Sequence, residues 1–194
     1  MMSSKSTHPA IYRASQFFAA LQASLSVWAG GGRSGLSPAD QSLVSSILPE
    51  ASQQRLFAQM LPNDQRHAVA VARTLRQAGH NQPALLQAAL LHDVGKCLGQ
   101  PIVYRVLIVL AEAFWPEALV RLSTASAEGT GVSWWRRPFV IHAHHPSIGA
   151  AWAQEAGCDP LTIDLIAQHQ DLLGEAITAE QRLLAVLQWA DGMN

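Results

Sequence analysis

Cysteine and charge are both scarce in this sequence. Its 194 residues include two cysteines, Cys97 and Cys158, and 14% charged residues, with a net charge of −1. Two thiols are too few for a framework of disulfide bonds, so we expect a reducing, cytoplasmic environment. A chain without a surplus of basic residues has no electrostatic field that would attract nucleic acid, and we expect no nucleic-acid partner.

Long apolar runs are also missing. The most apolar stretch, from Ile102 to Trp115, contains Arg105 and Glu112 and ends at Pro116, whereas a membrane span needs about 20 apolar residues. The first nine residues are polar and lack the apolar core of a signal peptide. We expect no membrane span, and we expect this apolar stretch to be a helix buried either in the core or in a homodimer contact.

Alternation of apolar and polar residues, which is typical of a half-buried strand, occurs nowhere convincingly. Apolar residues instead recur every three or four positions, and 49% hydrophobic content over 194 residues suffices for one core. We expect an all-α fold of roughly ten short helices in a single domain. Within it, residues 1–8 would form a disordered tail, 9–62 N-terminal helices and 63–194 the core.

Capping residues predict where several helices begin. Caps followed by proline or by a capping box occur at three positions: Ser37, Asp159 and Thr178. Asn63 is a candidate cap for a helix that lasts to Gly79, and Pro83 opens an apolar helix. Pro146 is expected to lie between two helices, because proline is favoured in the first turn.

Histidine and aspartate stand where apolar helical stripes end. The helix that begins at Pro83 leads directly into His92 and Asp93, and His67 and Asp191 lie at comparable places. A buried carboxylate without a partner is costly, and a metal ion is one of the few partners that offsets this cost. We therefore predict a metal site. Taken singly, His67 would instead be a core histidine, the pair His92-Asp93 would face water at a helix end, and Asp191 would be a surface carboxylate.

The run Ala88-Ala89-Leu90-Leu91-His92-Asp93-Val94-Gly95-Lys96, with His67 upstream and Ala190-Asp191 downstream, resembles the HD superfamily of metal-dependent phosphohydrolases. The resemblance covers about residues 64–191 and implies a helical HD-domain bundle. It implies that His67, His92, Asp93 and Asp191 bind one ion. Gly95 is expected to let the chain turn away, so that the adjacent pair can share that ion.

The chain also resembles an HD subset with two further histidines. The segment His145-Pro146-Ser147-Ile148-Gly149-Ala150 is similar to its His-Pro-x-x-Gly-Ala element, and Ile166-Ala167-Gln168-His169 is similar to its Ile-x-x-His element. This implies a second ion held by Asp93, His145 and His169, with Asp93 bridging. His144 competes with His145 for this role. The other histidines are expected at the surface or behind the ligands: His8, His80, His142 and His144.

Imidazole and carboxylate donors together favour one or two ions of Fe, Mn, Co, Ni or Zn over an all-oxygen magnesium site. The resemblance implies hydrolysis of a small phosphoester or phosphoanhydride, with a nucleotide as the preferred substrate, by a metal-activated water. Asp93 and Lys96 are the expected catalytic residues, the lysine holding the substrate phosphate. Lys96 would otherwise be a solvated lysine, and Arg66 is a weaker candidate for a role beside the metal.

The sequence is also compatible with other functions. The Gly-Tyr-Pro element of the cyclic-dinucleotide branch is absent and Gln170 replaces its further histidine, which disfavours cyclic di-GMP hydrolysis. Some HD proteins use the same ligands as di-iron oxygenases, and others are binding or signalling modules without turnover. The segment Trp134–Arg137 either stacks a base and holds a phosphate or, as we favour, anchors a helix to the core with its arginines solvated.

Overall fold

The computed structural model describes residues 35–98, 104, 107–108, 110–111, 114–124, 132–175 and 178–194. The described residues fall into two compact units, one with residues 35–98 and 141–194 and the other with those between 104 and 140. The predicted tail over 1–8, the N-terminal part up to residue 34 and most of the apolar segment 101–115 lie outside the described residues. The proposed division into tail, N-terminal helices and core stays a prediction.

The described residues are all-helical and include no strand. Eight α-helices and one 3-10 helix, Val94–Leu98, are present in them. The α-helices are α1 (Pro38–Ile47), α2 (Ala51–Ala58), α3 (Pro62–Gln77), α4 (Pro83–Leu91), α5 (Pro116–Ser123), α6 (Arg137–Glu155), α7 (Pro160–Gln168) and α8 (Ala179–Gly192). The all-α prediction is confirmed for the described residues, whose helix count differs slightly from the roughly ten predicted for the chain. Among these ranges no helix combines the length and apolarity needed to cross a bilayer.

Local sequence determines where α1, α7 and α8 begin. The Ser37 hydroxyl accepts the Asp40 N–H while the Asp40 carboxylate accepts the Ser37 N–H, which completes a capping box. Thr178 and Gln181 form the same reciprocal pair at α8. The Asp159 carboxylate caps α7 by accepting a backbone N–H. Each cap satisfies donors that the first turn leaves without an intrahelical partner, and all three predicted caps are confirmed.

Two predicted helix boundaries are wrong. Helix α3 begins at Pro62 with Leu61 as its N-cap, because proline at the first position is preset for a helix. Asn63 therefore lies inside the first turn, where its side chain accepts a hydrogen bond from Arg66. Pro146 lies inside the continuous helix α6 instead of between two helices. Turns after Pro146 pack in the core, and such packing contributes more to helical stability in proteins than any single backbone bond.

Helix α4 lies at the centre of the unit that contains residues 35–98 and 141–194. It packs against α3 and α7, while α8 contacts all three of these helices. Leu85, Leu90 and Leu91 are fully buried, as are the alanines between them. A helix with so little polar surface is expected to pack on most sides, and its one polar side chain, Gln87, is half-buried. The C-terminus of α4 consequently delivers His92 and Asp93 into the interior of this unit.

Gly95 has a different role from the one expected. In the described part of the chain, the glycines with positive φ are Gly79 and Gly157, whereas Gly95 lies within the 3-10 helix. A Cβ atom on Gly95 would collide with the carbonyl oxygen of His145 and lie 3.0 Å from its Cα. The glycine is therefore required for the close approach of two backbone segments, and not for a turn of the chain.

The described residues of the other unit include α5 and the segment that leads into α6. Arg136 donates to the backbone carbonyls of Arg121 and Leu122 at 2.9 and 3.1 Å, and thereby satisfies acceptors at the end of α5. Trp134 is 80% exposed. The prediction that this segment anchors a helix to the core with solvated arginines is therefore wrong for Trp134 and for Arg136.

Candidate metal centre

The side chains predicted as metal ligands converge in the unit built around α4. His67 lies on α3, His145 in the middle of α6, and Asp191 in the last turn of α8. His92 is the C-cap of α4 with Asp93 directly after it, and His169 is the C-cap of α7. Residues that are far apart in the chain thus form two groups suited to a metal ion, one at His67, His92 and Asp93, the other at Asp93, His145 and His169.

The second group is deeply buried and closely spaced. Asp93 Oδ1 lies 3.5 Å from His145 Nε2 and 3.6 Å from His169 Nε2, and the two Nε2 atoms are 3.3 Å apart. Ligand atoms that surround one ion tetrahedrally with bonds of about 2.1 Å lie about 3.4 Å from one another. The three atoms therefore have the mutual spacing of a metal coordination shell.

The first group surrounds a nitrogen that has no hydrogen-bond partner. His92 Nε2 is buried and lies 3.4 Å from Asp191 Oδ1 and 3.7 Å from Asp93 Oδ2, without hydrogen-bond geometry to either. His67 Nε2 lies 2.8 Å from Asp191 Oδ1. A buried polar atom without a partner is costly, and here a cation would satisfy it. Asp93 directs one carboxylate oxygen toward each group.

The three buried histidines share one orientation. Each Nδ1 lies close to a backbone carbonyl oxygen, at 3.0 Å for His92, 2.6 Å for His145 and 2.8 Å for His169. Only a protonated Nδ1 can donate to a carbonyl, so in the neutral ring the lone pair is on Nε2. The Nε2 atoms of His145 and His169 thus face each other as two acceptors, an arrangement that a cation between them would stabilise.

Both carboxylates of the centre are ionised near neutral pH. Burial alone raises the pKa of the Asp93 carboxyl, but the positive charges of Lys96 and His92 outweigh it and hold that pKa well below its usual range. Burial likewise raises the pKa of Asp191, and its hydrogen bond with His67 together with His92 brings it far below the usual range. Two ionised carboxylates among imidazoles form a site that attracts cations.

The pKa values of two of the buried histidines beside Asp93, His92 and His145, shift in opposite directions. Burial lowers the pKa of His92, but the negative charges of Asp93 and Asp191 prevail and raise it. For His145, burial is the dominant cause and lowers the pKa. His145 is therefore neutral at physiological pH, which is the form that binds metals, whereas at His92 a positive charge is favoured, whether proton or metal ion.

Among the described residues of the centre, the partly exposed side chains are those of His67, Asp191 and Lys96. The side chains of His67 and Asp191 are 29% and 37% exposed, and that of Lys96 is 23% exposed. By contrast, His145 and His169 are buried. Lys96 Nζ lies 2.7 Å from Asp93 Oδ2, so this lysine is paired with a candidate ligand and is not simply solvated. A molecule from solvent would reach the centre past His67, Asp191 and Lys96.

Sequence reasoning missed Gln188 as a supporting residue. Its side-chain amide donates to the backbone carbonyls of His169 at 3.0 Å and Asp171 at 2.8 Å, which fixes the chain at one ligand. Gln188 stands three positions before Asp191 on α8, so it lies on the same helical face. The spacing between Gln188 and Asp191 is visible in the sequence. The hydrogen-bond partners of Gln188 are backbone atoms, however, and no residue type in the sequence indicates them.

The histidines expected outside the ligand set have varied positions. His142 contributes its backbone carbonyl to His145, and its ring is 5.9 Å from the His145 ring. His80 and His144 are half-buried and belong to neither group, so His145 and not His144 lies beside Asp93. His8 lies outside the described residues.

Comparison of the chain with models of known protein families gave no match, and searches of curated proteins and of solved structures gave no significant match either. What the geometry itself supports is a cluster of buried histidine and aspartate side chains compatible with a metal site of the HD type. Assignment to a family therefore depends on the quoted motifs and on this cluster.

Proposed function

We propose that this protein is a metal-dependent phosphohydrolase of the HD superfamily that acts on a small phosphoester or phosphoanhydride, with a nucleotide as the preferred substrate. His67, His92, Asp93 and Asp191 would hold one divalent transition-metal ion, and Asp93, His145 and His169 a second. When bound, such ions supply a Lewis acid and activate water for attack on phosphorus.

The observation that carries this proposal is the arrangement of His145, His169 and Asp93. Both imidazoles donate Nδ1–H to backbone carbonyls and direct Nε2 toward each other and toward an ionised carboxylate. An ordinary hydrogen-bonded cluster would pair donors with acceptors, whereas this one collects acceptors. A cation is the partner that suits three acceptors at this spacing.

Lys96 and the partly exposed side chains of the centre suggest how an anionic substrate is held. Lys96 combines partial exposure with a position 2.7 Å from Asp93, so its ammonium group lies at the rim of the centre. A substrate phosphate that enters past His67 would find this positive charge beside it. Asp93 stays ionised there, so it keeps its oxygen atoms available to both groups. On this proposal Lys96 would neutralise phosphate charge, and Asp93 would be a ligand available to both ions.

The test begins with protein stripped of metal and reloaded with Mn²⁺ or Fe²⁺. Metal content per chain is measured, and hydrolysis is assayed with nucleotides, diadenosine polyphosphates and bis-p-nitrophenyl phosphate. The inactive control is His92→Ala with Asp93→Ala, and the matched control is His80→Ala, which removes a histidine that lies outside both groups.

We expect up to two ions per chain and hydrolysis of at least one substrate, both lost in the double variant and retained in His80→Ala. Absence of turnover above the double variant on the whole panel would contradict the proposal. Oxygen consumption by the iron-loaded protein, without phosphate release, would instead favour a di-iron oxygenase, which would use the same side chains.

A further inference from the structure

The Nδ1 contacts of the three buried histidines follow a common rule. Each histidine donates to the carbonyl of the residue three positions before it, which is Ala89 for His92, His142 for His145 and Ile166 for His169. Inside an α-helix a carbonyl normally accepts the N–H four residues later. A histidine can therefore donate to the carbonyl three positions before it most readily where that carbonyl accepts no backbone N–H.

For two of the histidines, the end of a helix supplies the carbonyl. His92 and His169 are the C-caps of α4 and α7, so Ala89 and Ile166 lie in the last turn of their helices. The last four carbonyls of a helix have no intrahelical donor. A ring N–H from the C-cap residue is a suitable partner for one of them, and it orients the ring at the same time.

His145 has no helix end beside it, because α6 continues from Arg137 to Glu155. The residue four positions after His142 is Pro146, which has no N–H to offer the His142 carbonyl. In a helix interior, the ring of a proline also clashes with the carbonyl four residues before it. The carbonyl oxygen lies 2.6 Å from His145 Nδ1. In the middle of α6, Pro146 thus leaves a carbonyl without its usual backbone donor. The ends of α4 and α7 do the same for His92 and His169.

We propose that Pro146 is a positioning residue for the second ion, acting through the His142 carbonyl and the ring of His145. By withholding a backbone donor, it reserves this carbonyl for Nδ1–H, which fixes the tautomer of His145 and directs Nε2 toward Asp93 and His169. The inference rests on the proposed metal site for its purpose, but the orientation of His145 is testable in metal-free protein.

The test is Pro146→Ala, which restores an N–H that competes for the His142 carbonyl. Long-range ¹H–¹⁵N spectra of the metal-free protein distinguish rings protonated at Nδ1 from rings protonated at Nε2. We expect the His145 signal to lose its Nδ1-protonated character while His92 and His169 keep theirs. Affinity for the second Mn²⁺ should fall about 10–100-fold, as for other changes behind metal ligands, and the first ion should bind as before.

A merely structural role for Pro146 makes the opposite prediction. Alanine is the better residue in a helix interior, so the variant would then be more stable, with unchanged His145 spectra and unchanged binding of both ions. That result would overturn the inference. Pro38→Ala at the start of α1 serves as a control for the loss of a proline, and it should leave the His145 spectrum unaltered.

A second variant distinguishes the effect of the missing N–H from the effect of the proline ring. The α-hydroxy analogue of alanine at position 146 places an ester oxygen where Pro146 has its ring nitrogen, and that oxygen cannot donate. It should restore the wild-type spectrum of His145, and failure to do so would contradict the role of the missing donor. If wild-type protein binds no metal, the proposed function fails, whereas these spectra still decide the role of Pro146.

Discussion

Gly95 and His145 approach each other so closely that no side chain fits between them. A Cβ atom on Gly95 would collide with the His145 carbonyl oxygen, and one on Gly149, a turn later in α6, would lie 3.4 Å from the Gly95 nitrogen. The 3-10 helix after Asp93 therefore packs directly against α6. This contact determines how far Asp93 lies from His145, and so it determines the size of the second group.

Gly95→Ala should therefore weaken the second ion and destabilise the fold. Overpacking of this kind costs about 1–3 kcal/mol, because backbone and not a flexible side chain must move. Denaturant unfolding and metal titration of the variant measure the two effects. Gly174→Ala is the matched control, since a Cβ there meets nothing within 4 Å. Wild-type stability together with full metal content in Gly95→Ala would contradict the close-approach argument.

Asp93→Asn should affect both ions, because Asp93 is the residue that the two groups share among the described residues. We expect both affinities to fall by more than the roughly 10–100-fold seen for residues behind ligands. His145→Ala should lose only the second ion and His67→Ala only the first. Metal analysis after dialysis gives the number of ions for each variant.

The neighbour of His145 provides the control for this series. His144→Ala removes a half-buried histidine from the same turn of α6 and should retain the wild-type metal content. Equal losses in His144→Ala and His145→Ala would show that the series reports damage to α6 and not loss of a ligand. Retention of either ion at wild-type affinity in Asp93→Asn would argue against a shared carboxylate.

Lys96→Gln should lower hydrolysis while both ions remain bound. A hydrogen bond to a charged group contributes about 1.5–3 kcal/mol, which corresponds to a fall of roughly 10–100-fold in kcat/KM. Steady-state kinetics on the best substrate of the panel measures this. Arg66→Gln is the control, because Arg66 binds Asn63 within the first turn of α3. A loss of metal in Lys96→Gln would instead indicate that Lys96 positions Asp93 as a metal ligand.

The capping box of α1 should make stability depend on pH independently of the metal centre. The hydrogen bond from Ser37 is the main cause that lowers the pKa of Asp40, and Arg73, 2.6 Å away, lowers it further. A carboxyl with a depressed folded pKa stabilises the protein above its unfolded pKa of about 3.9, and this contribution is lost as pH falls through the folded pKa.

Asp40→Asn should consequently cost about 1 kcal/mol at pH 7, which is typical of a capping interaction, and progressively less below pH 4. Urea unfolding of both proteins at pH 7 and pH 3, in the presence of a chelator, makes the comparison. A difference that grows toward low pH would have the wrong sign for a depressed carboxyl pKa.

The sequence by itself determined the helical class and the start of three helices, and it indicated a metal-type site. Ser37, Asp159 and Thr178 form caps through partners a few residues away, and the largely apolar run of α4 predicted a buried helix. Such local hydrogen bonds and periodic burial are encoded within short windows. The residue types imidazole and carboxylate likewise indicated a transition metal before any distance was known.

Only the tertiary structure decided how these parts meet. It paired Lys96 with Asp93 and gave Gly95 its place against the backbone of α6. It also kept Pro146 inside one helix. These outcomes depend on the packing of helices that are distant in the chain, and a contact with a backbone carbonyl or a missing Cβ leaves no pattern in the sequence that periodicity or capping rules can detect.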